Sequence, residues 1–305
     1  MEKYQLDSKS GSNLTVLEST FKNSYFRRIR LLKRLLSHIF LILVSVFAVF
    51  PVYYIVITSL SPIPALIDVS AKSILPSIST LTLANYRQII YDYPFGTWLK
   101  NTLFLTGTST VLGVMLALTS GIAMSRMRIP GKKALLYMML IISTFPFVIM
   151  VIPFYFMFSS LHLVNSYVGL IIAYSAGAVI FSSWLIKNYA DSIPRDYEEA
   201  AQLDGYSRTG ALFRVLLPIA KPVIIFALII SFIGPYTDYA LVSVLIDKPH
   251  LYTLTIGMYS VVDGTLGMNY GTFSAFALLM GLPIFIIFFV FQRYLSSGFS
   301  LSMYK

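Results

Sequence analysis

Cysteine is absent from the 305-residue sequence, and histidine and charged residues are scarce. The absence of cysteine excludes disulfides, thiolate chemistry and cysteine-based metal sites. The three histidines, His38, His162 and His250, stand too far apart for metal-ligand spacing, so no metal site is predicted. Charged residues make up 12% of the chain, about half the share typical of soluble domains.

Apolar residues take the place of the missing charges. Hydrophobic residues account for 57% of the chain, and its mean hydropathy is +0.76. A soluble domain of this size must present a polar shell to water and cannot bury so much apolar surface. Because a lipid bilayer removes that requirement, the composition predicts an integral membrane protein.

Six apolar stretches are long enough to cross a membrane, which takes about 20 residues in a helix. Every backbone N–H and C=O must be hydrogen-bonded within the hydrocarbon region, so helices are predicted rather than open strands. The predicted spans are about Ser37–Leu60, Asn101–Met124, Ala134–Phe158, Ser166–Ile186, Pro222–Val242 and Phe273–Phe291. The predicted fold class is an all-α integral membrane protein with six transmembrane helices.

The distribution of basic residues predicts the orientation of these spans. If the N-terminus is cytoplasmic, only Lys72, Arg87, Lys100 and Lys248 of the 23 lysines and arginines fall outside, which leaves 19 inside. This asymmetry follows the positive-inside rule and places both termini in the cytoplasm. The same rule explains the net charge of +10, so no nucleic-acid partner is predicted.

Three regions are expected along the chain. Residues 1–34 are predicted to form a cytoplasmic tail, 35–296 the membrane domain, and 297–305 a second cytoplasmic tail. The basic stretch from Arg27 to Arg34 precedes an apolar run that is too long for a signal peptide. No small-residue cleavage site follows that run, so the first span is expected to remain uncleaved.

Proline and small residues mark particular positions within the spans. A proline removes one helical hydrogen bond and invites a kink, unless it simply reflects the higher frequency of proline in membrane helices. The span prolines are Pro51, Pro146, Pro153, Pro235 and Pro283. Small residues recur at every fourth position of the second span, at Gly113, Ala117, Gly121 and Ser125. This spacing predicts a smooth ridge for close helix packing.

The loop between the fourth and fifth spans carries unusually strong helix signals. Pro194 suits a first helical turn, and acidic residues follow it where the helix dipole favours anions. Gly205 suits the left-handed position just after a helix, and Ser207 suits the cap of a second short helix that ends before Pro218. Residues from about 194 to 218 are therefore predicted to form two short helices that project toward a groove on another protein.

The same loop carries a motif with defined spacing. Glu199–Ala201 is followed after three residues by Gly205, and nine further residues lead to Val215, with Leu217 and Pro218 closing the pattern. This arrangement resembles the cytoplasmic signature of ABC importer permeases, which reads Glu-Ala-Ala, three residues, Gly, nine residues, Ile, one residue, Leu-Pro. The valine in place of isoleucine is the one departure.

Three later segments resemble the carbohydrate branch of that family, and in particular the smaller membrane subunit of maltose/maltodextrin importers. These segments are Ser231–Tyr239, Tyr252–Met258 and Gln292–Gly298. The resemblance covers roughly residues 30–305. It implies the type I ABC importer permease architecture, with cytoplasmic coupling helices, in the plasma membrane of a prokaryote.

The resemblance also implies a set of partners. A second, larger permease subunit would complete the pathway, and an ABC ATPase dimer would bind ATP and Mg²⁺, so this chain would hold no cofactor and would not be an enzyme. An extracellular sugar-binding protein would deliver maltose or maltodextrins, or another substrate of the raffinose or multiple-sugar type, and lipid would surround the spans. The implied ATPase-docking residues are Glu198, Glu199, Ala200, Ala201, Asp204, Gly205, Leu217 and Pro218.

One acidic residue lies near the outer end of the fifth span. Asp238 is a candidate pathway residue because acids within membranes are candidate functional residues, and its position near the helix end suits a solvated or structural role equally well. Tyr236 and Tyr239 beside it suit either stacking on a sugar or the aromatic belt at the membrane interface. No sugar site is assigned to the chain.

Three other classes of protein compete with this interpretation. A secondary transporter would be expected to place coupling acids or polar clusters at mid-membrane, and Asp238 alone is a poor coupling apparatus. An intramembrane enzyme would need a catalytic group within a span, and no Walker A phosphate loop is present for ATP. A structural scaffold would leave the cytoplasmic motif unexplained.

Overall fold

The structure is a computed structural model that describes residues 33–62, 81–262 and 270–300. Most of both predicted tails lies outside these residues. The described part of the chain consists of helices joined by short segments. The helices are α1 (Lys33–Leu60), α2 (Ala84–Asp92), α3 (Phe95–Arg126), α4 (Lys132–Thr144), α5 (Phe147–Ser160), α6 (Tyr167–Ser192), α7 (Asp196–Leu203), α8 (Arg208–Ala211), α9 (Leu217–Thr237), α10 (Ala240–Leu245), α11 (Leu254–Val262) and α12 (Tyr270–Ser300).

The contacts divide the chain into two units, one that ends at Ile57 and one that begins at Thr58. Most of α1 belongs to the first unit. Every interaction described below lies within the second.

The predicted number of spans agrees with the helices of the described residues. Five helices are long and apolar enough to cross a membrane, and the bent pair α4–α5 brings the number to six. The helices extend past the predicted spans at several ends. α3 begins at Phe95, and α12 continues through Ser300, beyond the boundary predicted at residue 296.

The predicted third span is not one continuous helix. α4 and α5 meet at an angle of 99°. The break falls at Phe145, whose backbone is extended, and Pro146, which follows it. A proline disfavours helical backbone in the residue before it and donates no hydrogen bond, so the helix stops there. The other prolines predicted to kink a span lie inside continuous helices.

The predicted fifth span, Pro222–Val242, is wrong at its C-terminal end, and at its N-terminal end the helix extends past it. The helix that contains α9 starts at Arg208 and ends at Thr237. Asp238 then takes extended backbone, and its carboxylate accepts hydrogen bonds from the backbone N–H groups of Ala240 and Leu241, at 3.0 and 3.2 Å. Asp238 thereby caps the separate helix α10.

The predicted small-residue ridge of α3 is confirmed, and it packs against α6. All four ridge residues are buried. A Cβ at Gly113 would lie 2.6 Å from the Cβ of Ala178, and one at Gly121 would lie 2.9 Å from the carbonyl oxygen of Ser183. The two helix backbones therefore approach each other closely along most of their length.

The N-terminal end of α3 holds the segment that precedes α11. The Asn101 side chain donates hydrogen bonds to the carbonyls of His250 and Tyr252, at 2.9 and 3.0 Å. The Thr102 hydroxyl accepts one from the backbone N–H of Leu254, at 2.8 Å. These bonds pair backbone N–H and C=O groups of a segment that is not helical. At membrane depth such groups need hydrogen-bond partners within the protein.

The α3–α6 contact generates the first prediction, in which two Gly→Ala variants of α3 have different effects on stability. Alanine favours a helix over glycine. Gly113→Ala nevertheless forces the backbones of α3 and α6 apart, since the new methyl group would lie within 3.0 Å of the Ser175 carbonyl, and overpacking of this kind costs roughly 1–3 kcal/mol. Gly107→Ala is the matched control, because a Cβ there meets no atom within 4 Å.

The unfolding temperature of the purified protein in detergent provides the measurement. Gly113→Ala should lower that temperature, and Gly107→Ala should leave it unchanged or raise it. Equal effects of the two variants would show that α3 and α6 are not in close contact.

Candidate functional site

The predicted projection is present, and its first helix is α7. Three acidic residues, Asp196, Glu198 and Glu199, occupy its first turn, where the helix dipole favours negative charge. Pro194 lies two residues before the helix rather than within its first turn. The helix packs against α8 and the turn that follows α8.

Gly205 has the left-handed conformation predicted for it. Its φ is +90°, which an L side chain adopts at a cost. The N–H of Gly205 bonds to the carbonyl of Gln202, and the N–H of Tyr206 to that of Ala201, both at 3.1 Å. These two bonds form a Schellman motif that ends α7 sharply. The Ser207 hydroxyl then caps α8 through the N–H of Gly210.

The second predicted helix does not end before Pro218. Residues Leu212–Leu216 form a π-helical turn that joins α8 to α9 without a break, and the N–H of Leu217 bonds to the carbonyl of Leu212. Pro218 stands at the start of α9. The wide turn before Pro218 lets the helix continue although the proline has no N–H to donate.

A single arginine ties α7 to two spanning helices. Arg126, the last residue of α3, donates from Nε to Glu198 Oε1 of α7, at 2.6 Å. Its two terminal nitrogens donate to the carbonyls of Ala190 and Ile193 at the end of α6, at 2.9 and 3.1 Å. Both side chains of the ion pair are largely shielded from solvent, with 9% and 12% exposed. Arg126 therefore caps α6 and fixes α7 at once.

A second ion pair, between Lys187 and Asp191, lies next to this arginine. The hydroxyl of Ser125 donates to Asp191 at 2.6 Å, and Lys187 pairs with the other oxygen of Asp191 at 2.8 Å. Arg195, just before α7, reaches back to the carbonyl of Ser125 at 3.4 Å. The ends of α3 and α6 are thus joined by charged and polar side chains.

The predicted docking residues fall into two groups. Glu198 and Ala201 face the rest of the chain. The others are exposed or partly exposed, namely Glu199, Ala200, Asp204, Gly205, Leu217 and Pro218.

Two residues of this site were missed by sequence reasoning. Leu203 exposes 90% of its surface at the tip of α7, beside the glycine turn. A large apolar side chain at the end of an otherwise polar helix is the signal that could have identified it. Arg126 was counted only as a topology residue, and nothing in its sequence position pairs it with Glu198.

The three candidate pathway residues have different surroundings. Tyr236 is fully buried against Phe232, and its hydroxyl donates to the carbonyl of Met280 at 2.8 Å. Asp238 accepts a 2.6 Å hydrogen bond from the hydroxyl of Tyr174 in addition to capping α10. Tyr239 is partly exposed.

An apolar cavity of about 660 Å³ lies beside Asp238, between α6 and α9. Tyr174 and Tyr239 also line it, with small residues such as Gly177 and Gly234. Its walls are mostly apolar, and two of its few polar side chains, Tyr174 and Asp238, bond to each other. Across the described ranges, no three histidine or acidic side chains gather in a group able to hold a metal ion.

The fold and the site define a polytopic helical membrane protein that holds a short helical projection between the ends of its spanning helices. The family model for the binding-protein-dependent transport system inner membrane component matches residues 109–300. The chain belongs to this family, and the resemblance to ABC importer permeases of the carbohydrate branch is confirmed.

Several curated relatives are permease proteins of carbohydrate transport systems. The galactooligosaccharides permease GanQ of Bacillus subtilis is 31% identical over 88% of this chain and 94% of its own length. The maltodextrin permease MdxG of Bacillus subtilis is 29% identical over 88% of this chain and 95% of its own length. The maltose/maltodextrin permease MalG of Escherichia coli is 36% identical over 68% and 71%.

The fold is that of type I ABC importer permeases. A chain of a bacterial ABC transporter involved in the import of alginate superposes with a TM-score of 0.73 at 23% identity, and the match covers 85% of this chain and 95% of that one. A chain of the MetNI methionine ABC transporter superposes with a TM-score of 0.52 at 21% identity, and the match covers 67% of this chain and 95% of that one.

The glycine turn generates the second prediction. A Cβ at Gly205 meets no atom within 4 Å, so the cost of a side chain there comes from its backbone conformation, about 1–2 kcal/mol. Gly205→Val should therefore loosen the end of α7 far more than Gly205→Asn, because asparagine tolerates the left-handed region.

Tryptic cleavage after the exposed Arg208 in detergent reports this loosening. The cleavage rate should rise roughly 5- to 30-fold in Gly205→Val, since cleavage follows the population of the opened segment. Equal rates for the valine and asparagine variants would contradict the assigned conformation.

Proposed function

We propose that this chain is one of two membrane-spanning permease subunits of an ATP-driven importer of oligosaccharides. The exposed tip of α7 is the observation that best supports this proposal. It presents Leu203 to solvent beside a sharp glycine turn, while Arg126 anchors its opposite face. A rigid projection with an apolar tip suits insertion into a pocket on another protein.

The partner at this tip is an ABC ATPase subunit, which binds the ATP and Mg²⁺ that this chain does not. A second, larger permease subunit completes the pathway, and an extracellular sugar-binding protein delivers the substrate. Membership of a binding-protein-dependent transport family supports this assembly. ATP and the loaded binding protein shift the permease between inward-facing and outward-facing states.

Maltodextrins are the proposed substrate. Relatives named for maltodextrin transport and the three carbohydrate-branch segments support this choice. The galactooligosaccharides relative at 31% identity supports the second candidate, a galactose-containing oligosaccharide.

The orientation of the chain is proposed from its basic residues, with both termini in the cytoplasm. The absence of cysteine makes this orientation testable without removing any native residue. Arg128→Cys should react with a membrane-impermeant maleimide only in inside-out vesicles, and Lys100→Cys only in intact cells stripped of their wall. The opposite pattern would reverse the topology.

Purification of the chain from its own membranes in mild detergent tests the assembly. A larger permease subunit and an ATPase with a Walker A sequence should co-purify. Vesicles that contain the complex should take up maltotriose only with ATP and the binding protein. Uptake of solute by the chain alone, without ATP, would favour a secondary transporter instead.

Leu203→Ser tests whether the tip of α7 contacts the ATPase. Loss of an anchoring side chain of this kind should weaken retention of the ATPase roughly 30-fold. Leu83→Ser is the matched control, since Leu83 is also an exposed leucine but lies next to α2, far along the chain from the projection. Equal retention of the ATPase by both variants would exclude the tip as the docking point.

A further inference from the structure

The helix α7 is joined to the rest of the chain by links of two kinds. Packing joins it to α8 and to the π-helical turn before α9, with Ala201 and Ala211 buried. Three residues of backbone, 193–195, join it directly to the end of α6. A displacement of α7 thus reaches α6 and α9 through the chain itself and through packing.

The link from α7 to α3 is made by side chains. Arg126 holds Glu198 at 2.6 Å, and the second bridge, from Arg195 to the carbonyl of Ser125, is longer, at 3.4 Å. The guanidinium of Arg126 is also fixed on its far side by the carbonyls of Ala190 and Ile193. A planar guanidinium that donates in several directions at once holds its partners in one geometry, which an ammonium cannot do.

The helix α3 reaches from this ion pair to the segment from His250 to Leu254, called the outer segment because the proposed orientation places it outside the cell. Its 32 residues span about 48 Å at the rise of an α-helix. Asn101 and Thr102 bond the segment from His250 to Leu254 near the opposite end. The ion pair and the outer segment are therefore connected by one continuous helix that is packed tightly on α6.

We propose that Arg126 is a positioning residue that transmits displacement of α7 to α3, and through α3 to the outer segment before α11. This inference rests on the proposed function, in which an ATPase moves α7. In this role Arg126 acts through Glu198. Removal of the link should leave the ATPase bound and hydrolysing ATP while sugar transport fails.

Arg126→Met and Glu198→Ala are the test variants, in the complete complex with its binding protein in vesicles. Maltotriose uptake and ATP hydrolysis are measured together, along with the amount of ATPase retained. Glu198 is turned inward against Arg126, which leaves docking to the exposed residues of α7 rather than to Glu198. Each variant should therefore retain the ATPase, keep hydrolysis within about twofold, and lower uptake per ATP roughly tenfold. Arg128→Met is the matched control, an exposed arginine two residues beyond the ion pair, and should leave uptake per ATP unchanged.

The double variant Arg126→Met/Glu198→Ala separates a joint role from two independent ones. If the pair acts as one link, the double variant loses no more uptake per ATP than the worse single variant. Additive losses would overturn the proposal. Parallel falls in uptake, hydrolysis and complex yield would assign Arg126 a purely structural role and would also overturn it.

Two further outcomes are distinguishable. If Arg126→Met fails to accumulate, Glu198→Ala alone tests the proposal. That variant keeps the guanidinium and its bonds to α6 while breaking the link to α7. Loss of the ATPase from Glu198→Ala would make Glu198 a docking residue and refute the proposed link. Absence of any ATPase from the unmodified chain would instead refute the proposed function itself.

Discussion

The close approach of α3 and α6 is the constraint on which the rest of the structure depends. Two glycines, Gly113 and Gly121, bring the backbones together at distances that no Cβ would allow. Helices in a membrane gain little from burying apolar surface against each other, so close packing of small residues must hold them. The register of α3 on α6 then fixes what meets at each end of the pair.

At one end, this register sets Arg126 against the last carbonyls of α6 and against Glu198. The guanidinium orients α7 so that Glu198 turns inward and Leu203 points to solvent. At the other end, Asn101 and Thr102 hold the segment before α11. The projection and the segment before α11 are thereby attached to one pair of helices.

Much of this arrangement could be predicted from local sequence. Long apolar runs revealed the spans, the four-residue spacing of small residues revealed the ridge, and Gly205 revealed the sharp end of α7. Each of these signals depends on neighbours along the chain, which is why the sequence carries them. The left-handed glycine is the sharpest case, because few other residues adopt that conformation at low cost.

What could not be predicted depends on contacts between distant segments or on how one proline is accommodated. The pairing of Arg126 with Glu198 joins residues far apart in sequence, and Asp238 proved to be a helix cap bonded to Tyr174. Pro146 breaks its span, whereas Pro218 is accommodated by a π-helical turn. Proline alone does not distinguish these outcomes, since surrounding turns decide whether the helix continues.

A photo-crosslinking residue at position 203, activated in intact native membranes, tests the central claim most directly. The account predicts a single major adduct between this chain and an ABC ATPase subunit, absent when the same residue is placed at position 83. Adducts to lipid alone, or equal adducts from both positions while the complex remains intact, would contradict the account.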